Sequence, residues 1–334
     1  MTDFKTDKDF FGALAIIKGE LKERLLNLPE NIKSATCEIR LRTGKPVIIS
    51  GLYGNRILYR DSENTPFICY SEDVANIFSR ICSYSVHSHI HSIVNGFVTV
   101  QGGHRVGICG TAVFDSNNNI ISVRDISSLN IRISREKKGC ADELYRKVFS
   151  NGVSSVIIAG SPMSGKTTVL RDLVRQLSEG NNMYKVCVID ERQEIAAMNA
   201  GFCQRDIGIN TDVFDLYPKE RGIECAVRTM APDIIAMDEL CNDKEIEAII
   251  LAVNRGVKFI VTVHASDYSE LLTRPQIKSL LRAYSFEKLV LLKNHNPGKI
   301  EGIYDTKELL DEIIGRNIGL GEYNSSGREF ILTA

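Results

Sequence analysis

The chain has 334 residues, 43% apolar and 25% charged, with a formal charge of −1; this length allows two domains with cores of their own, in an ordinary soluble globular composition. So even a balance gives no support to wholesale nucleic-acid binding through net charge. The nine cysteines stand singly without a C-x-x-C, which argues against a disulfide framework or zinc site and predicts that most are small buried hydrophobes in a reducing cytosol.

Residues 1 to 10 carry three Asp and two Phe instead of a basic then apolar run, and no apolar run approaches a membrane span, so neither leader nor spanning helix is expected. Between 8 and 28, Phe10, Phe11, Leu14, Ile17, Leu21, Leu25 and Leu28 recur at three- and four-residue intervals until Pro29. The spacing predicts one amphipathic helix packed on an N-terminal domain. Alternation follows in Cys37-Glu38-Ile39-Arg40-Leu41-Arg42, a turn at Thr43 to Pro46, a strand from Val47, and further strands near 55–59 and 67–70. Ser71 is the expected N-cap of a helix reaching about Ser83. His87, His89 and His91 lie two apart; with no Cys or acidic ligand nearby, a solvated face is expected and no metal.

Gly96 to Gly110 reads as a hairpin with a basic tip, in which Arg105 stands among Gly102, Gly103, Gly107 and Gly110. Such an arginine either meets a phosphate or is solvated on a plain hairpin. Asn130 to Arg135 alternates again, Arg135 to Gly139 reads as linker, and the composition changes near residue 145. The organisation expected is an α+β domain over 1–145 and a second domain over 146–334.

In the second domain, Gly160-Ser161-Pro162-Met163-Ser164-Gly165-Lys166-Thr167 fits G-x-x-x-x-G-K-[ST] between an apolar β-branched run and an amphipathic helix that begins with Thr168. Backbone N–H groups of such a loop face phosphates, Lys166 reaches the β- and γ-phosphates, and the Thr167 hydroxyl sits on Mg²⁺. Two apolar strands then end in acid pairs, Asp190-Glu191 and Asp238-Glu239, where parallel sheets present catalytic groups. Asp238 is the expected partner of Mg²⁺ through its water shell, and the adjacent glutamate a group that polarises water. A third strand, Val257 to Val263, delivers His264 to the same edge. After it come a helix near 276–282 and strands at 288–292 and 302–304, with no chemistry visible.

These ordered segments resemble the secretion and pilus-retraction superfamily of ATPases, in which a Walker A loop precedes an acidic box, a Walker B and a histidine box. More closely, they resemble its stage III sporulation branch. The matching stretches are Gly96 to Gly110, Gly160 to Thr167, Val188 to Glu194, Val227 to Glu239 and Val261 to His264. The resemblance implies a RecA-like α/β P-loop core, a smaller N-terminal α+β domain, and a hexameric ring holding ATP and Mg²⁺ between subunits. It implies Arg105, with Arg132 and Arg135, as arginines supplied in trans. It also implies a cytoplasmic ATPase, peripheral to the membrane on the mother-cell side, that energises a secretion-like channel to the forespore. Two other readings are a nucleotide-gated ring scaffold with little turnover and a nucleic-acid-dependent ATPase, the latter disfavoured by the lack of tryptophan and of an aromatic-interleaved basic stripe. The sequence departs from the superfamily at Asp238, where a glycine usually precedes the glutamate, and at Leu240-Cys241-Asn242, which replaces a basic continuation.

Overall fold

The structure, a computed structural model, describes residues 7–311 apart from 62, 241 and 295, so Cys241 and the end of the tail lie outside the described residues. The chain divides into two units: one of residues up to 135 joined by Met198–Gln204, the other of Glu136–Ala197 and the chain from Arg205 onward.

In the first unit, α1 (Lys8–Ala13), α2 (Gly19–Leu26) and α3 (Glu30–Ala35) precede β1 (Thr36–Arg42), β2 (Lys45–Pro46), β3 (Ile48–Gly51), β4 (Gly54–Ile57) and β5 (Ile68–Cys69). Then come α4 (Ser71–Ile81), α5 (Ile90–Val94), β6 (Phe97–Val100), β7 (His104–Phe114) and β8 (Ile120–Arg132). Six strands pair antiparallel in the order β4-β3-β1-β8-β7-β6. Ile39, Leu41, Val98, Val106, Leu129 and Ile131 face a core closed by Phe10, Leu14, Ile17, Val74, Ile77 and Ile93. Strand alternation sends Glu38, Arg40, Arg42 and Arg132 to the other side.

The single helix expected over 8–28 is broken: its apolar stripe is buried as read, but Ile17 is extended and Gly19 takes φ +67°. A left-handed glycine restarts the chain as a second helix. At α4 the capping position is Tyr70, one residue earlier than Ser71, because the Asp73 carboxylate accepts from the Tyr70 N–H at 2.8 Å. Burial of most cysteines is also corrected: of eight free cysteines described, Cys69, Cys82 and Cys187 are buried while Cys37, Cys109 and Cys203 are exposed. Cys37 and Cys109 sit at strand irregularities that turn them outward.

The second unit comprises α6 (Asp142–Leu144), β9 (Val156–Gly160), α7 (Lys166–Glu179), β10 (Val186–Asp190), β11 (Thr211–Asp215), α8 (Lys219–Thr229) and β12 (Ile234–Met237). It continues with α9 (Asp243–Val253), β13 (Lys258–His264), α10 (Tyr268–Thr273), α11 (Pro275–Arg282), β14 (Lys288–Leu292) and β15 (Ile300–Asp305). Its seven-stranded sheet runs β11-β10-β12-β13-β9-β14-β15, parallel except for β15. The central strands are apolar throughout because both faces are covered. Ile157, Ile235 and Val261 pack toward α8, α9 and α11, while Ile158, Ala236 and Ile260 point to the opposite face. Parallel register then brings the carboxyl ends of β9, β10, β12 and β13 to one edge.

Candidate nucleotide site

At that edge the chain turns from β9 into α7 through the phosphate loop. Gly165 holds φ +88°, and a Cβ there would stand 2.8 Å from the backbone nitrogen of Gly298, so both backbone conformation and space require glycine. Gly298 donates its N–H to the Ser164 carbonyl at 2.8 Å, which docks the loop between β14 and β15 on the phosphate loop. Pro162, Met163, Gly165, Lys166, Thr167 and Thr168 line a cavity of about 550 Å³, within the range of small-molecule sites. Ser164 lies off that wall, its Oγ buried against Gly160 without a hydrogen-bond partner. The cavity opens at the start of a 14-residue helix, whose N-terminal end suits an anion. Gly160 and Ser161 are not part of the wall; their carbonyls accept from Lys166 Nζ at 2.8 and 2.9 Å.

The same cavity is lined by Asp238, Glu239 and His264, by Glu194, by Lys137 and Cys140, and by Pro297 and Gly298. Lys166 Nζ stands 3.3 Å from His264 Nδ1, and His264 Nε2 stands 2.9 Å from a Glu239 oxygen. Because an ammonium only donates, Nδ1 must accept, and Nε2–H then donates to the carboxylate; this assigns the tautomer. The second Glu239 oxygen is paired with Arg192. Burial lowers the Lys166 pKa, and the charges of Asp238 and Glu239 pull it back up. Thr167 Oγ1 donates to Asp238 at 2.6 Å, and Thr262 donates to the other Asp238 oxygen. A hydroxyl and a carboxylate in contact form an oxygen donor pair of the hardness Mg²⁺ takes.

The first acid pair is placed differently. Asp190 is 2% exposed, and its oxygens accept from the backbone N–H groups of Glu194, Ile195, Ala196 and Ala197 at 2.8 to 3.3 Å. Burial raises its pKa, and those donors offset part of the rise. Asp190 is therefore committed to holding the 194–197 turn, outside the wall of the main cavity. Glu191 faces Lys219 at 3.5 Å. Glu194, quoted in the acidic box without a role, lines the cavity instead; its spacing from Asp190 by one tight turn is the signal that would have found it. Lys219 and Arg192 were likewise not singled out, since nothing in a helix start or a loop marks a charge that will meet Glu239.

Arg105 lies in the first unit on β7, in register with Thr99 and Arg132, its guanidinium 4.1 Å from the Phe97 ring centroid. Arg132 is exposed and 3.8 Å from Glu38. Arg135 is corrected: its guanidinium is bound to Asp7 and to the carbonyls of Lys33 and Thr36 at 2.7 to 3.0 Å, which leaves it a tether of α1 and α3 instead of a donor to a neighbour. His91 Nδ1 lies 3.3 Å from Asn95, and among the described residues no group of three His, Cys, Asp or Glu side chains is placed to hold a metal.

The family described as Sporulation stage III, protein AA matches residues 13–310. Stage III sporulation protein AA of Bacillus subtilis is 34% identical over 294 residues, covering 87% of this chain and 93% of that protein. Among solved structures, the Yersinia pseudotuberculosis ATPase DotB superposes with TM-score 0.58 at 15% identity, over 94% of this chain and 87% of its own. The pilus retraction motor PilT, solved with bound ADP, gives TM-score 0.51 at 14% identity over 78% and 76%. At such identities these two show a shared RecA-like fold and nothing finer.

Proposed function

The chain belongs to the sporulation stage III, protein AA family, and on that premise we propose that it is an ATP-hydrolysing motor. The observation that carries the proposal is the convergence of Lys166, Thr167, Asp238, Glu239 and His264 on one cavity at the start of α7. Lys166 moves from the Gly160 and Ser161 carbonyls to the β- and γ-phosphates, where the loop N–H groups of 161–167 share the charge. Thr167, with Asp238 behind it, holds Mg²⁺, which when bound neutralises charge on the phosphate oxygens. Once the phosphates draw Lys166 away, Glu239 accepts the proton of the attacking water as the bond to ADP breaks. His264 orients that carboxylate.

The same reading extends to the assembly: a homo-oligomeric ring, six-membered as the resemblance implies, with Arg105 delivered to a neighbour's ATP. In the cell it would act in the cytoplasm of the mother cell, peripheral to the membrane, energising a secretion-like channel. No helix among the described residues is long and apolar enough to cross a membrane. The substrate moved through such a channel would be supplied by other components.

Steady-state phosphate release tests the proposal and separates it from a ring scaffold with little turnover. Lys166→Ala should abolish binding of a fluorescent ATP analogue. Glu239→Gln should keep binding and slow turnover by ~10²–10⁴-fold, the contribution of a general base. Undiminished phosphate release in both proteins would sink the reading.

A further inference from the structure

Glu239 is held in a backbone conformation that a glutamate does not choose. Its φ is +46°, in the left-handed region, and such residues persist only where their surroundings fix them. On one side the Glu239 N–H donates to Thr262 Oγ1 at 2.8 Å and to Asp238 at 3.1 Å. On the other, its carbonyl accepts from Lys219 Nζ at 2.6 Å. Lys219 opens α8 just after Pro218 and is 3% exposed. Its charge is balanced by Glu191 at 3.5 Å and by Glu245, itself 3% exposed, at 3.7 Å. Asn242 caps α9 by accepting the Glu245 N–H at 3.0 Å, and its amide donates to the Glu245 carboxylate at 2.8 Å, which fixes the distal end of the pair. A lysine is suited to the place, since a compact ammonium can donate to one carbonyl while its charge faces two carboxylates.

We propose that Lys219 is a positioning residue for the reaction: it locks the Glu239 backbone in the left-handed conformation that aims the carboxylate into the nucleotide cavity. The consequence for turnover rests on the ATPase reading, whereas the lock itself does not. Lys219 does not itself line the cavity and reaches it only through the Glu239 carbonyl, behind the wall, so removing it should leave nucleotide binding intact. The blander account is a buried ion pair that merely joins α8 to α9, and the two accounts part when both charges are removed together. Replacing a buried pair by neutral groups is usually tolerated, whereas removing one partner strands the other.

The test compares wild type with Lys219→Met, Lys219→Met/Glu245→Gln and Lys219→Arg. In nucleotide-free protein, amide hydrogen exchange of the 238–241 segment should quicken at least ~10-fold in the double variant while its melting temperature returns to the wild-type value, because local opening reports what holds a segment. In phosphate release, the double variant should lose kcat by ~10²-fold, the scale of a small misplacement of a reacting group, with KM and nucleotide affinity within about twofold of wild type. Lys219→Arg keeps the buried charge but replaces the point-like donor with a planar fork, so it should melt like wild type and lose kcat by about tenfold. Unchanged exchange at 238–241 in the double variant, or wild-type kcat in either the double variant or Lys219→Arg, would overturn the proposal. Absence of phosphate release from the wild type would end the ATPase reading alone, with the exchange measurement still deciding the lock.

Discussion

Asp215 and Asp190 are register partners on β11 and β10, and the sheet that aligns them buries Asp190 and half-buries Asp215. Burial, with the Asp190 charge adding to it, pushes the Asp215 carboxyl up to about 6, against the pull of the Gln193 amide that donates to both its oxygens at 3.0 Å. The unfolded carboxyl releases its proton near 3.8 and the folded one near 6, so within that window the folded chain carries the extra proton. Stability from this group therefore falls as pH rises through the window, and above about 6 the penalty is complete. In Asp215→Asn the penalty disappears: the melting temperature of the variant minus that of wild type should grow from about pH 4 to about pH 6 and then level off. A difference independent of pH would contradict this account. The residue types at the site were legible in the sequence, but their tasks were not. Asp190 and Glu194 read alike on paper, and only the four N–H groups converging on Asp190 turn one into a tether while the other faces the cavity.

Among elements, the phosphate loop joins strand to helix through a left-handed residue backed by a second loop. Gly165→Ala therefore meets two obstacles, a strained φ and the Gly298 backbone 2.8 Å from the new Cβ. Gly256, with φ +90° and nothing within 4 Å, isolates the first obstacle alone. Both variants should be destabilised by about 1 kcal/mol from the backbone term. Gly165→Ala should lose more and should also lose nucleotide binding, whereas Gly256→Ala should bind normally. Thermal melts with a fluorescent nucleotide titration check this, and equal losses in the two would show that Gly298 yields without cost. The hairpin of β6 and β7 offers a second element-scale device. Gly102 takes φ +81° and donates its N–H to Gln204 at 2.8 Å, while Asn199 donates to the Thr99 carbonyl at 2.9 Å. The hairpin carrying Arg105 is thereby gripped, at β6 and the turn, by residues 198–204, which follow directly on the turn that Asp190 holds.

For the whole molecule, a site completed between copies is the reading that gives Arg105 a task. A positive group from a neighbour, aimed at charge developing on the γ-phosphate, supplies ~10³–10⁵ in rate. Arg105→Ala should keep the ATP affinity of the monomer and lose turnover by a factor of that order. Mixed with Lys166→Ala, which keeps Arg105 but binds no ATP, it should regain part of the activity at interfaces where an intact site meets an intact arginine. Normal hydrolysis by Arg105→Ala alone would remove the arginine from the mechanism. ATP-dependent oligomer mass, measured on the same samples, reports whether a ring forms.

The phosphate loop and the strands ending in Asp238-Glu239 and His264 were legible in local pattern, and the RecA-like class followed from the family resemblance that those motifs carry. A motif of glycines with lysine and threonine, or an apolar run ending in acids, acts through residues adjacent in the chain, so its chemistry is written in order. Three features depended on distance in sequence. The break at Gly19 keeps one apolar stripe, Phe10 to Leu25, on the core of the first unit; the 198–204 excursion leaves its neighbours to join the first unit; Lys219 reaches Glu239 across 20 positions. Burial and pairing of this kind belong to the tertiary structure alone, because the cost of a buried charge or a left-handed glutamate is met by groups that no local pattern brings near.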